Sequence, residues 1–458
     1  MNKHNSPMPS FFVKTLMLLL ALLIGAAPAA AQLRLHGSNT VGESLAPALA
    51  EAWLTSEGHE HVTVEETAPL ERVLTGTNAR GESIWVEIHA HGSSTSFRDL
   101  ANGTADMGMA SRRIKQDELE RLGHLGSLDD PRHEFVVGID GLAVIVHPDN
   151  PVRALRIDQI RAAFSGRYDN WRQLGGPDRP IARYARDDKS GTWDSFESMV
   201  LQDARLAADA RRFESSSELS DLVANDPGGI GFIGLPYVRD ARALAISAGG
   251  EPVAPERFTA ATEDYPLSRR LYMYVPEQEL DGLGGRLARF AVSREGQAIV
   301  DEIGFVGQKV ELERVAIPES APGEYRRYVQ GALRASMNFR FEPGEVNLDS
   351  KSQRDLERLI EFLTRPDNRS LQVLLMGFAD PSETSPYFSI ALSHDRVDLV
   401  AAELAQSGVG VRMARGFGAA LPLAEGTGPS SEAKNRRVEV WLRARDDEAA
   451  RRSSASSP

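Results

Sequence analysis

The chain has 458 residues, which at roughly 100–200 residues per domain implies about two to four domains. Hydrophobic residues make up 41% and charged residues 26%, a globular composition that excludes wholesale disorder, and the net charge of −13 argues against a nucleic-acid partner. There is no cysteine, so disulfides, thiolate metal sites, catalytic thiols and a lipidated N-terminal Cys are excluded.

In chain order, residues 1–31 carry Lys3 and Lys14, an apolar run from Leu16 to Ile24, then Pro28 and Ala29-Ala30-Ala31. A basic start, a short apolar stretch and an A-x-A site predict a secretory signal peptide cleaved after Ala31. The apolar part is shorter than the roughly 18–20 residues that span a bilayer. Residues 32–315 then alternate strand and helix patterns, with strands expected at 84–91, 141–147 and 270–275 and helices at 45–54, 158–164 and 285–292. Two prolines and a glycine between Ile317 and Gly323 predict a linker over 316–332. A second α/β unit, 333–444, reads strand 336–341, helix 352–363, strand 371–377, helix 393–406 and strand 437–442. The charged, Ser-rich tail 445–458 is expected to be disordered.

Three turns of the first unit share one chemistry. Ser38-Asn39-Thr40 follows Gly37 and leads into a helix, with Thr40 and Glu43 at capping-box spacing. Ser93-Ser94-Thr95-Ser96 follows a strand, and Ser190-Gly191-Thr192 precedes apolar helical positions. Each turn offers hydroxyls, unpaired backbone N–H groups and the positive end of a helix dipole, which together suit an anion. Taken singly, each is explained by helix capping alone. Arg186, four residues before Ser190, adds a guanidinium for an oxyanion. Asp106 would repel a bare anion and helps only where the ligand keeps a proton, as phosphate does and sulfate does not. Such a site selects phosphate by leaving an acceptor unpaired against sulfate.

His36-Gly-Ser-Asn-Thr40, Gly103-Thr-Ala-Asp-Met-Gly108 with Ala110-Ser-Arg112, and Arg186-x-x-x-Ser190-Gly-Thr192 resemble the periplasmic phosphate receptors of ABC importers (PstS-like). Pro227-Gly-Gly-Ile-Gly-Phe232 and Tyr265-Pro-Leu-x-Arg269 also match that family. The resemblance implies a two-lobed periplasmic-binding-protein fold of type II, holding inorganic phosphate or a similar oxyanion. It assigns ligand contacts to Ser38, Asn39, Thr40, Ser93 or Ser94, Asp106, Arg186, Ser190, Gly191 and Thr192, and implies an ABC phosphate permease as a partner. One departure is that the second turn, Ser94-Thr95-Ser96, lacks the glycine usual in the family.

Other signals are set aside. Gly229-x-Gly231-x-x-Gly234 copies a dinucleotide fingerprint, but Asp226-Pro227 precedes it and Pro236 follows, so it reads as a turn into a strand. His59-x-His61 and His89-x-His91 lack an evident third His or carboxylate at ligand spacing, so no metal and no cofactor is expected. Ser431-x-x-Lys434 has no partner motif for acyl-transfer chemistry. A phosphatase would need a nucleophile with a positioned base or paired metals, and none is evident, so the reading is non-enzymatic.

In the second unit, Asp380 ends a strand and Arg396 falls in the first turn of the expected helix, where a cation gains nothing from the dipole. The two read either as a structural ion pair or as a clamp for a zwitterion. Phe339-x-Phe341-x-x-Gly344, Gly377-x-x-Asp380, Leu392-Ser-x-x-Arg396, Gly416-x-Gly418 and Asn435-Arg-Arg-Val-Glu439 resemble the OmpA-like peptidoglycan-binding domain. That resemblance implies that Asp380 and Arg396 hold the diaminopimelate of the stem peptide, with Phe339, Arg436 and Arg437 as further candidates. Phe378 stands where His or Tyr is usual, and Ser389 where Asn is usual. The combined expectation is an exported oxyanion receptor in the periplasm, associated with peptidoglycan or the outer membrane, for phosphate uptake, retention or sensing. The alternative is a structural or adhesion protein with a ligand-free receptor fold.

Overall fold

The computed structural model describes residues 31–188, 190–342, 344–425 and 433–445. The expected leader up to residue 30, Ser431 and the tail beyond Arg445 lie outside these residues.

An eleven-stranded sheet runs through the first unit. Its outer part is an antiparallel meander of His59–Ala68, Glu71–Asn78 and Ser83–His89. Ser83–His89 then pairs in parallel with Ala31–Gly37, which pairs in parallel with Met107–Ala110. The strand Glu134–Val146 carries the sheet from one lobe into the other. Its residues 134–141 pair with Ser268–Tyr274, and 142–146 pair with Gly229–Gly234. All of it is buried, as its nearly unbroken apolar run demands when both sheet faces are covered. Sequence patterning predicts only its second half, because Glu134 and Asp140 interrupt the run. Arg113 and Arg269 neutralise those two carboxylates.

Each lobe has its own core. Leu35, Leu49, Trp53 and Val86 anchor the first, and Phe164, Trp171, Phe196 and Phe232 the second. Helices Leu45–Ser56, Ile157–Phe164 and Leu283–Val292 fall where periodicity predicts them. The Gly229–Gly234 segment is a strand and not a phosphate-binding turn.

The second unit is a five-stranded sheet in the order Leu312–Glu313, Leu333–Arg340, Arg437–Ala444, Leu371–Phe378, Val411–Gly416. Helices Ser350–Thr364 and Pro386–Gln406 cover one face. The segment expected as a linker covers the other. Ala321, Tyr325 and Val329, spaced by four, form an apolar stripe on and just before helix Gly323–Val329 that packs on Phe378 and Trp441. Pro and Gly there mark the helix start, not a free tether.

Charge joins the two units. Arg334 meets Asp264, Arg270 meets Asp349 and Arg113 meets Glu342, each at 2.7 Å. Lys434 Nζ donates to the carbonyls of Glu263 at 2.8 Å and Tyr265 at 3.0 Å. Among the described residues no helix is long and apolar enough to cross a membrane.

Candidate functional site

The first turn begins where Gly37 ends its strand against Met109. A Cβ on Gly37 would lie 1.9 Å from the Met109 carbonyl oxygen, so only glycine allows the approach. Ser38 N then donates to Met109 O at 2.9 Å, and Gly92 N donates to Gly37 O at 2.7 Å. The second turn is thus fastened to the first. Ser93 Oγ accepts Ser111 N at 3.0 Å, at the C-terminal end of strand Met107–Ala110. Asn39 Oδ1 is buried beside this junction and has no hydrogen-bond partner among the described residues.

The third turn reaches the first from the opposite lobe. A Cβ on Gly191 would lie 2.6 Å from Thr40 Cα, so this glycine too is required by close approach. Thr40 Oγ1 donates to Gly191 O at 3.2 Å, and Arg269 Nη2 donates to Thr40 Oγ1 at 2.6 Å. Arg269 also meets Asp140 at 3.2 Å, locking the two lobes together at this point. Ser190 caps the helix Gly191–Phe196, its hydroxyl accepting Thr192 N at 3.2 Å. Ser38 precedes the short helix Asn39–Gly42 without a side-chain cap bond, so the Thr40–Glu43 capping box expected from sequence does not form.

A cavity of about 430 Å³ opens between the lobes, lined by Thr40, Glu43, Arg186, Ser190, Gly191 and Thr192 among others. The first and third turns therefore share one cavity. Ser38 and Asn39 do not line it. Ser93 and Ser94 open the helix Ser93–Ala101 on the other side of the first turn and do not line this cavity.

Arg186 is held by the carbonyls of Phe213 at 3.2 Å and Glu214 at 2.6 Å and by the Ser216 hydroxyl. Burial lowers its pKa, while Asp187 and Glu43 pull it back up. Burial raises the pKa of the Glu43 carboxyl, against Arg186 and Arg72. Asp194, in the first turn of the third-turn helix, is likewise pushed up by burial to about 6.

Asp106 is elsewhere. It lies at the opposite end of strand Met107–Ala110 from Ser111, and its carboxylate accepts Arg34 N at 2.9 Å and Arg34 Nη2 at 2.6 Å. An ion pair on the flank of the sheet occupies it. The carboxyls that do line the cavity are Glu43, Asp140 and Glu214, of which the sequence offers Glu43 only as a capping residue. Ser111 and Arg269 are the other neighbours missed, although both fall inside the motifs that carry the family resemblance.

In the second unit Asp380 and Arg396 are both buried, but they do not pair directly. Glu383 stands between them. Its carboxylate accepts Arg396 Nη2 at 2.6 Å and Nη1 at 2.9 Å, together with Asp380 N at 2.9 Å and Gly344 N at 3.0 Å. Burial pushes Glu383 up, but these donors hold it below the usual carboxylate range. Asp380 accepts Ser382 N at 2.8 Å and Asn435 Nδ2 at 2.7 Å. The helix carrying Arg396 starts at Pro386, not near Ser393, so Arg396 sits well inside it. Proline in the first turn, with its fixed φ, makes that earlier start.

Phe339 is wholly buried in the core, because alternation along its strand turns Asn338 and Arg340 the other way, toward the first unit. Phe341 instead lies under the Arg396 guanidinium at 5.2 Å. Arg437 is engaged by Glu439 at 3.0 Å and Leu421 O at 3.1 Å, and Arg436 donates to Phe341 O at 3.2 Å. Neither makes a direct bond to Asp380 or Glu383 among the described residues.

Two α/β lobes on shared crossing strands, with a cavity of hydroxyls, amides, one guanidinium and the carboxyls of Glu43, Asp140 and Glu214 between them, define a bilobal ligand-binding fold. The chain belongs to the PBP superfamily: the PBP superfamily domain matches residues 25–295, and the OmpA family matches residues 340–436. Over 252 residues the chain is 29% identical to the phosphate-binding protein PstS of Pseudomonas aeruginosa, covering 51% of this chain and 77% of that protein. Protein SphX of Synechococcus elongatus is 31% identical over 241 residues, covering 50% and 70%. The crystal structure of a possible phosphate binding protein from Planctomyces limnophilus superposes with a TM-score of 0.50 at 23% identity, covering 61% of this chain and 93% of that one.

Proposed function

We propose that the chain is a non-enzymatic receptor of the cell envelope that binds hydrogen phosphate in its first unit and peptidoglycan through its second. One observation carries the first half: Thr40 from one lobe and Arg186, Ser190, Gly191 and Thr192 from the other line a single interlobe cavity. Neutral donors plus one guanidinium suit a small oxyanion, and water exclusion strengthens each bond. Glu43 takes the role first expected of Asp106. Its burial-raised carboxyl, facing Arg186, accepts a hydrogen bond from the P–OH that hydrogen phosphate carries and sulfate lacks. The PstS relative, named as a phosphate-binding protein, supports this ligand.

For the second half, the Arg396–Glu383 pair is the supporting feature. A carboxylate of this chain already lies where a stem-peptide carboxylate would meet Arg396, with Asp380 beside it for the ammonium of diaminopimelate. Binding then requires Glu383 to give way to the ligand. A wall-held receptor of this kind retains phosphate near the wall or passes it to an ABC permease.

Calorimetry of the full chain with phosphate and with sulfate tests the first half, and co-sedimentation with diaminopimelate-containing sacculi the second. Saturable phosphate binding well above sulfate, and pelleting with sacculi, are the expected results. No heat with phosphate would leave the ligand-free structural role.

A further inference from the structure

Three neighbouring strands of the first lobe bring together side chains that are far apart in sequence. His36 and His89 are register partners on adjacent parallel strands, so both project from one face, and their rings stack with centroids 4.3 Å apart. Glu87 lies two residues before His89 and shares that face. Glu71 stands opposite His89 on the next, antiparallel strand. His36, Glu87 and His89 each offer one donor atom, and these atoms all lie within 4.8 Å of one another.

His36 carries the decisive detail. Its Nδ1 is 2.9 Å from Asp99 Oδ2, while its Nε2 is buried without a hydrogen-bond partner among the described residues and faces Glu87 Oε1 at 3.9 Å. Asp99 at Nδ1 fixes the ring so that Nε2 faces the cluster, the way an outer carboxylate orients a metal-binding histidine. His89 Nε2 is 2.9 Å from Glu87 Oε1 and 3.8 Å from Glu71 Oε2. These separations bracket the spacing of about 3.3 Å between ligands around a tetrahedral ion with bonds of about 2.0–2.1 Å.

We propose that His36, His89 and Glu87, with Glu71 as a fourth donor, form a binding site for a divalent transition-metal ion of the zinc class. Imidazole nitrogen and carboxylate oxygen suit such an ion, and the absence of thiolate disfavours a soft monovalent one. His89 and Glu71 are half-buried and leave a way in, while His91 holds Glu71 from outside at 2.9 Å. In sequence only Glu87-x-His89 lies together on one strand, while His36 and Glu71 come from the two neighbouring strands. The ion would lie behind two turns, since His36 is two residues before Ser38 and His91 two before Ser93.

The test is calorimetry of the full chain, prepared without a polyhistidine tag, with zinc chloride in phosphate-free buffer. One saturable equivalent is expected. His89→Ala, at a half-buried position that tolerates truncation, should lower the affinity by at least about tenfold, as should the outer-carboxylate variant Asp99→Asn. His61→Ala should leave it unchanged. Cobalt(II) gives a second readout: a visible band of a four-coordinate ion should appear with the natural chain and vanish with His89→Ala. No zinc binding, or binding and a cobalt band that His89→Ala leaves intact, overturns the site.

Discussion

The interlobe cavity and the Arg396 site handle buried charge in opposite ways. At the cavity, burial leaves Glu43, which lines it, and Asp194, in the helix that follows its third turn, above their ordinary pKa values. At Arg396, Glu383 is held below its ordinary value by the guanidinium and two backbone N–H groups, despite burial. Polar capacity left unmatched is capacity available to a ligand, whereas a carboxylate already matched must be displaced by one.

The largest change should come from Arg396→Ala. Removing one partner of this buried pair strands Glu383 and should cost about 3–5 kcal/mol of unfolding free energy, read by denaturant melts. Arg396→Lys keeps a charge and should fold better while still losing the two-pronged contact and most pelleting with sacculi. Next, Arg186→Ala should weaken phosphate binding by about 2–4 kcal/mol, visible in calorimetry. An unchanged affinity would mean that the guanidinium serves only Phe213, Glu214 and Ser216.

Glu383→Gln sharpens the contrast from the other side. It keeps the shape and removes the resident charge, so pelleting at limiting sacculi should rise severalfold; a fall would mean that Glu383 itself contacts murein. Glu43→Gln should narrow the preference for phosphate over sulfate by about tenfold, the scale of one buried hydrogen bond. If both proteins rank the two ions alike, the hydrogen-bond-acceptor role of Glu43 is wrong.

The smallest effect is in pH. Because the folded pKa of Asp194 is raised to about 6, the folded state binds more protons than the unfolded state between the ordinary carboxylate range and pH 6. Its ionisation therefore opposes folding above that window. Asp194→Asn should raise the melting temperature at pH 8, with the gain fading toward pH 4. Glu383→Gln should do the reverse. Its pair stabilises above the unfolded carboxylate pKa and loses that effect as pH falls through the depressed folded value, so the variant's deficit shrinks in acid.

Much of the architecture is legible in local pattern: the three hydroxyl turns, the helices at Leu45 and Leu283, and the strand–helix rhythm of the second unit. What escapes is what depends on partners distant in sequence. Asp106 reads as a ligand until Arg34, brought alongside by strand pairing, takes its carboxylate. Phe339 reads as a contact residue until strand alternation turns it inward. The prolines between Ile317 and Gly323 suggest a tether, yet the Ala321–Tyr325–Val329 stripe outweighs them once a sheet face needs covering. Glu383 gives no sequence signal beyond its place three residues after Asp380.

The second unit grips the first at 262–265, just before the strand Ser268–Tyr274, which pairs with the first half of the crossing strand. Asn338 Nδ2 donates to Thr262 O and Asp264 Oδ1, each at 2.8 Å, and Lys434 closes over Glu263 and Tyr265. The handle therefore holds the pivot together with Arg113 of the first lobe and, through Glu425 N on Ala248 O at 2.8 Å, the second lobe. Tension arriving through the murein mesh would twist the hinge directly, and lobe motion would in turn tug on the anchor.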